Sequence, residues 1–140
     1  MIDDYFTALK TQIEGGTGLS GRGFDTVRLD GDGNLIRDNY FILYSPSPVG
    51  VPQDRFTEVQ TYDGAVEFDC DVRVVGVNPG AVRLMLDRVM GRVVGHMLTI
   101  TGRQPAKVTA SLNGRLREDQ SVKPFLYYQD ITVEWVSRPA

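Results

Sequence analysis

The chain has little of the residue types that most often build catalytic or metal centres. Among its 140 residues it has one cysteine, Cys70, and one histidine, His96. One cysteine cannot close a disulfide within the chain, and zinc sites and histidine-dependent triads need more partners than these two residues supply. Because Cys70 falls on the apolar side of a predicted strand, we expect it to be a buried free thiol. We expect no cofactor, no metal and no enzymatic activity.

Long apolar runs and a strong charge imbalance are missing as well. No apolar run approaches the roughly 20 residues that a membrane helix needs, and Asp3 and Asp4 stand where a secretory signal would carry basic residues. With 15 basic and 18 acidic residues, the formal net charge is −3, which lacks the basic excess usual for nucleic-acid binding. We expect one domain over residues 1–140, no membrane partner and no direct sequence-specific nucleic-acid binding. We also expect the protein to be assembled in a reducing cytosol.

What the chain does have is a clear strand followed by a capped helix, over residues 65–95. The apolar residues of the strand alternate along one face: Val66, Phe68, Cys70, Val72 and Val74. The charged residues alternate on the other: Glu67, Asp69, Asp71 and Arg73. Asn78 then occupies the N-cap position, Pro79 the first helical position and Gly95 the C-terminal stop. This unit predicts a sheet with one wet face and a helix packed on the other.

The first half of the chain reads as a helix, a hairpin and a long loop. Apolar spacing and two early acidic residues predict an amphipathic helix over Ile2–Glu14. Residues 24–30 and 35–45 read as strands joined by the turn at residues 31–34, which predicts a hairpin. Residues 45–64 contain three prolines and predict an irregular segment of the kind that is often functional.

The second half adds short strands and one long strand. Residues 97–101 and 106–112 are strand candidates, and the charged residues 113–124 read as a mobile loop. Residues 125–136, rich in aromatic and β-branched side chains, predict a final strand. The resulting fold class is α+β, a mainly antiparallel sheet with two helices packed on one face.

Two short motifs are better explained by local structure than by ligand binding. Residues 16–21 match G-x-G-x-x-G by letter, but a dinucleotide site needs a preceding strand and a following helix, and here the order is reversed. Residues 30–34 resemble the start of a calcium loop, but Leu35 and Phe41 stand where that loop needs glycine and a bidentate acid. A linker and a hairpin turn are the preferred interpretations.

Two groups of charges remain as candidates for function. The row of Glu67, Asp69 and Asp71 has a spacing that could serve acid–base chemistry. A solvated sheet face commonly looks the same, however, and Arg73 continues the row. An electrostatic interface with a neighbouring subunit is the more interesting alternative to a solvated face. The basic residues of the late segments, which could meet an acidic partner surface, are Arg103, Lys107, Arg115 and Arg117.

Taken together, the layout resembles the tail terminator, or tail completion, proteins of long-tailed phages. The resemblance rests on the helix beginning MIDDYFTAL (1–9), the proline-bearing segment before an alternating strand, VRVVGV (72–77) running into the helix AVRLML (81–86), and the last strand FLYYQDITVEW (125–135). It covers nearly the whole chain and is a pattern of order and size rather than of an invariant motif.

This resemblance implies a structural virion protein with no bond chemistry. Members of the family form a ring, usually of six copies, that caps the tail tube, ends its polymerisation and offers a face to the head–tail connector. The expected partners are further copies of the chain, the tail tube protein and the connector protein, at the head-proximal end of the tail. One alternative is a neighbouring head–tail connector or stopper. Another, from a different class, is a small-molecule-binding or enzymatic α+β domain, which would need an apolar pocket lined by Glu67, Asp69 or Asp71.

Overall fold

In a computed structural model, which describes residues 1–50 and 64–140, the chain forms two helices and eight strands. The helices are α1 (Ile2–Glu14) and α2 (Pro79–Val93). In chain order the strands are β1 (Gly23–Phe24), β2 (Tyr40–Leu43), β3 (Ser47–Gly50), β4 (Val66–Gly76), β5 (Met97–Leu98), β6 (Ala106–Lys107), β7 (Thr109–Asp119) and β8 (Leu126–Ser137).

The main sheet has the order β1-β2-β4-β8-β7, and β3 pairs with the first part of β4. All of its pairings are antiparallel except that of β1 with β2. β5 and β6 form a separate two-stranded sheet. This confirms the predicted α+β class with a mainly antiparallel sheet.

Both helices cover the same face of the sheet, which we call the inner face. One apolar cluster joins buried residues of α1 and α2 to the alternating apolar residues of β4 and β8. Phe68 and Trp135 are stacked at 5.6 Å, and Tyr5 of α1 packs against both rings at 5.3 Å. The amphipathic patterns of the helices and of β4 are therefore satisfied by one shared core.

The opposite, outer face has an apolar end and a charged end. At the apolar end a second, smaller cluster of Tyr40, Ile42, Val75 and Leu126 packs with Phe24 of β1 and with Leu35 from the segment between β1 and β2. The charged end carries the polar residues of β4 and β8.

The predicted strand–helix unit is confirmed in detail. The residues of β4 alternate between buried and more exposed along its first half. The Asn78 side chain accepts a hydrogen bond from the Ala81 backbone N–H at 2.8 Å, and Pro79 opens the helix. Gly95 follows the helix with φ of 74°, a left-handed conformation that glycine adopts without steric cost.

The predicted hairpin of residues 24–30 and 35–45 is wrong. The turn itself forms, since Leu29 and Leu35 pair as an isolated antiparallel bridge and the Asp30 carboxylate accepts from the backbone N–H of Asn34. The flanking strands, however, are short and β1 pairs with β2 in parallel. Asp38 accepts hydrogen bonds from both Arg22 and Arg28, which holds the intervening loop together without a continuous ladder.

The loop prediction for residues 113–124 is also wrong, because β7 continues as far as Asp119. β8 supplies backbone hydrogen-bonding partners whatever side chains β7 carries, so a polar strand can pair at the sheet edge. Residues 106–112 divide between β6 and β7 instead of forming one strand. Within residues 45–64, Ser47–Gly50 forms β3 with an irregularity between Pro48 and Gly50, and residues 51–63 lie outside the described part of the chain.

Candidate functional site

The predicted charged row of β4 lies together on the outer face. Glu67 and Asp71 are exposed, whereas Asp69 and Arg73 are half-buried. The Asp71 carboxylate accepts a hydrogen bond from the Thr132 hydroxyl at 3.2 Å. Because the intervening residues of β4 are buried against the helices, the row is held on a rigid strand with its carboxylates facing away from the core.

The sheet adds an acidic residue that the sequence analysis did not select. Glu134 of β8 is exposed and lies directly opposite Asp69 of β4. Its place on the polar side of the last strand could be read from the alternation. Its approach to the β4 row depends on the strand register, which the sequence alone does not specify. We call Glu67, Asp69, Asp71 and Glu134 the acidic surface.

Arg73 does not belong to the acidic surface as a free charge. Its guanidinium donates to both carboxylate oxygens of Asp130 on β8, at 2.8 and 3.1 Å. The same group stacks on the ring of Tyr128 at 4.4 Å. The hydrogen bonds to Asp130 raise the pKa of Arg73. This two-bond ion pair links β4 to β8 and marks the boundary of the acidic surface.

Arg115 and Arg117 lie on the edge strand β7, and both are exposed. The pairing of β7 with β8 is irregular between Asn113 and Arg117. There Gly114 has φ of 78°, and its carbonyl accepts a hydrogen bond from the Gln129 side chain at 3.1 Å. This irregular stretch displays the two arginines on an ordered strand instead of the predicted loop. We call residues 112–117 the basic edge.

Arg103 lies apart from the basic edge, although the sequence analysis grouped it with Arg115 and Arg117. Its Nε donates to the Ser137 hydroxyl at 2.7 Å, and one terminal nitrogen donates to the Ser137 carbonyl at 3.0 Å. A further hydrogen bond reaches the Gly64 carbonyl. Arg103 thus fastens the loop after β5 to the end of β8, where the buried Tyr5 hydroxyl also donates to Ser137.

An open groove of about 670 Å³ lies beside the acidic surface. Its walls come from β3, the first part of β4, β5, β6, the start of β7 and the end of β8, and they include Val49, Glu67, Met97, Lys107 and Glu134. The wall also includes Trp135, whose buried indole N–H has no acceptor among residues 1–50 and 64–140. The groove could not be read from the sequence, because its walls come from separate segments of the chain.

Two further observations describe the surroundings of these surfaces. Within the described ranges, no group of three or more His, Cys, Asp or Glu side chains is placed to hold a metal ion. Neither helix in those ranges is long and apolar enough to cross a membrane.

The models of known protein families and the curated proteins yielded no match to this chain.

Proposed function

We propose that this protein is a ring-forming structural subunit of a phage tail, the tail terminator. In this role it caps the finished tail tube, ends its polymerisation and offers a joining face to the head–tail connector. The observation that supports the proposal most directly is the presence of two complementary surfaces, the acidic surface and the basic edge, at different places on one rigid sheet.

A closed ring needs two different surfaces that match between neighbours. A twofold dimer uses the same patch on both copies, whereas a head-to-tail ring joins unlike patches and closes after a fixed number of copies. Glu134 lies opposite Thr109 near the start of β7, whereas Arg117 lies opposite Tyr128 near its end. Six residues of β8 separate these two rows, a distance of roughly 20 Å in a strand. Glu134 and Arg117 therefore cannot pair with each other within one chain, and they can do so between chains.

Charge pairing of this kind sets the register of a ring more than its affinity. An exposed ion pair contributes about 0–1 kcal/mol and is weakened by salt. The exposed Leu112 on the basic edge, with half of its surface accessible, adds apolar area that a neighbour can bury. Assembly should accordingly be sensitive to ionic strength, and it should be favoured where a tube end presents several docking positions at once.

The proposal is tested by negative-stain electron microscopy of the purified protein, alone and mixed with tubes of the tail tube protein from the same genome. We expect rings, or a distinct cap at one tube end. The double variant Arg115→Glu/Arg117→Glu should lose the rings or caps and keep the fold by circular dichroism.

The matched control for this experiment is Arg83→Glu/Arg88→Glu, which makes the same change of net charge on the exposed side of α2. We expect the control to assemble like the unmodified protein. A protein that forms no ring and leaves tubes uncapped in every condition contradicts the terminator function. Rings that bind the head connector and ignore tubes would favour the connector role.

A second candidate function, small-molecule binding, is favoured by one observation. The groove has an apolar wall and is lined by Glu67, a carboxylate of the row that this interpretation requires. Asp69 and Asp71 lie on the open sheet face outside the groove lining. A ligand screen by thermal shift separates small-molecule binding from the structural role. A binding domain should be stabilised by one class of compound, and the variant Glu67→Ala should lose that stabilisation.

A further inference from the structure

The groove combines exposed apolar side chains with two carboxylates of the acidic surface, and this combination limits what that part of it can bind. Val49 and Met97 are large apolar side chains that are 58% and 46% exposed, respectively. Glu67 and Glu134 line the groove where it meets the acidic surface, and Lys107 and Arg138 line it as well. Exposed apolar side chains beside a concave surface are typical of protein contact sites. A suitable occupant combines an apolar side chain with neighbouring positive charges.

The basic edge has this combination. Leu112 is 52% exposed on the inner side of β7, opposite Ile131. Arg117 lies on the outer side, opposite Tyr128, and Arg115 precedes it at the irregular pairing. Because β7 is the last strand of the sheet, both of its sides can enter a groove edge-on. Positive charge and exposed apolar surface therefore occur together in one short segment at the sheet edge.

We propose that the basic edge of one copy sits in the groove of the next copy, with Leu112 against Val49 and Met97 and the arginines against Glu67 and Glu134. This inference rests on the proposed ring and names the contact that would build it. The occupant is a second copy, because Leu112 is fixed on the same paired strand that carries Thr109 of the groove wall, and a paired strand cannot fold back into the groove. Thr109 lies opposite Glu134 and Leu112 lies opposite Ile131, three residues further along, which is roughly 10 Å in a strand.

Cysteine cross-linking tests this contact directly. Val49→Cys marks the groove and Asn113→Cys marks the basic edge, and neither substitution removes a charge. A disulfide requires Cα atoms within about 7 Å, so the two positions cannot join within one chain. The native Cys70 is buried, with its Sγ donating to the Tyr44 carbonyl at 2.9 Å, and will not compete. We expect a mixture of the two single variants to give a cross-linked dimer under mild oxidation.

The control is a mixture of Leu84→Cys with Asn113→Cys, because Leu84 is similarly exposed on α2, away from the groove. Cross-linking should be at least roughly tenfold weaker in this mixture, since α2 lies outside the proposed contact. Equal yields from the two mixtures, or no cross-link at high protein concentration with and without tail tubes, would overturn the groove contact.

A charge exchange supplies an independent measurement. Glu134→Arg and Arg117→Glu should each weaken self-association at least roughly tenfold, because like charges would then face each other, and the two changes combined should restore it. Trp135 is the one tryptophan of the chain and lines the groove, so its fluorescence should change on assembly. Single variants that associate like the unmodified protein, or a double variant without rescue, would contradict the contact.

The two proposals can fail separately. If the protein caps tubes but Val49→Cys and Asn113→Cys do not cross-link, the ring is built by another contact and the terminator function stands. If the cross-link and the charge rescue are present but tubes stay uncapped, the groove contact is correct and the terminator function is wrong. Binding of a small compound that leaves self-association unchanged would assign the groove to the ligand instead and overturn the contact.

Discussion

The inner and outer faces of the sheet use the same strands for different purposes. On β4, Phe68 and Cys70 point into a core sealed by two helices, while Asp69 and Asp71, one residue away in sequence, belong to the acidic surface. The inner face resembles an ordinary protein interior in its packing, and the charged end of the outer face is an arrangement of carboxylates beside an open groove. The difference indicates that the buried residues of β4 contribute to stability, while its charged residues remain accessible to a partner.

The contrast between the inner and outer faces is tested most strongly by truncating two neighbouring residues of β4, one on each face. Phe68 is 1% exposed and packs against Tyr5 and Trp135. Phe68→Ala should lower the free energy of unfolding by about 3–5 kcal/mol, because it removes buried area and leaves a cavity. Asp69→Ala on the other face should change it by no more than about 0.5 kcal/mol. Urea denaturation of both variants provides the measurement, and similar losses would contradict the division of roles between the faces.

Thiol reactivity distinguishes the same two faces chemically. Burial raises the pKa of Cys70 to about 12, against 9.0 for an ordinary thiol, and nearby Asp71 and Asp69 add to the effect. At pH 8 this lowers the thiolate fraction, and hence the alkylation rate, roughly 1,000-fold. Iodoacetamide should modify Cys70 only after unfolding, whereas a cysteine introduced by Asp71→Cys should react in the folded protein.

The raised pKa of Cys70 also predicts a loss of stability in alkaline solution. Between pH 9 and 12 the unfolded chain ionises this thiol before the folded chain does, so unfolding is favoured as the pH rises through this range. Below pH 9 the thiol is protonated in both states and contributes no pH dependence. Cys70→Ala should flatten the alkaline part of the stability curve, and an unchanged slope would contradict the assignment.

A smaller effect is expected where the inner face holds a polar contact. The Tyr5 hydroxyl donates to Ser137 at 2.7 Å, and Ser137 is fully buried. Tyr5→Phe should lower the free energy of unfolding by about 1–1.5 kcal/mol, because the buried Ser137 hydroxyl then loses one of its hydrogen-bonding partners. A double-mutant cycle with Ser137→Ala isolates the Tyr5–Ser137 term, and strict additivity would contradict the coupling.

A still smaller loss than that of Tyr5→Phe is expected for the ion pair on the outer face. Arg73 and Asp130 remain 32% and 25% exposed, which limits the strength of their pairing. Arg73→Lys should lower the free energy of unfolding by about 1 kcal/mol, because lysine loses the paired hydrogen bonds and the stacking on Tyr128. The loss of stability caused by Arg73→Lys should be smaller in a protein that already carries Asp130→Asn. Thermal unfolding of these variants at two salt concentrations measures the loss in each background.

Much of the fold could be predicted because the signals lay within single segments. The α1 helix, the alternation of β4, and the Asn78 and Gly95 boundaries of α2 all depend on neighbouring residues, and the structure confirms them. The faces of β4 follow from its period of two, so Glu67, Asp69 and Asp71 were placed together before any contact was known.

The errors arose where distant segments decided the outcome. β7 has a polar sequence typical of a loop, and it is a strand because β8 lies beside it. The turn at residues 31–34 is a strong hairpin signal, yet β1 pairs in parallel with β2, where Phe24 packs edge-on against Tyr40 and Asp38 holds two arginines. Local propensity is a weak guide at a sheet edge, where the partner strand supplies the hydrogen bonds.

By itself, the sequence determined the α+β class, the two helices and the separation of β4 into an apolar and a charged side, because these properties depend on the spacing of residues along one segment. Only the tertiary structure decided that Glu134 joins the acidic surface, that Asp130 takes Arg73 away from it, that Arg103 fastens Ser137, and that separate segments enclose a groove. Those properties depend on strand register and on contacts between residues far apart in the chain, which a local pattern does not encode.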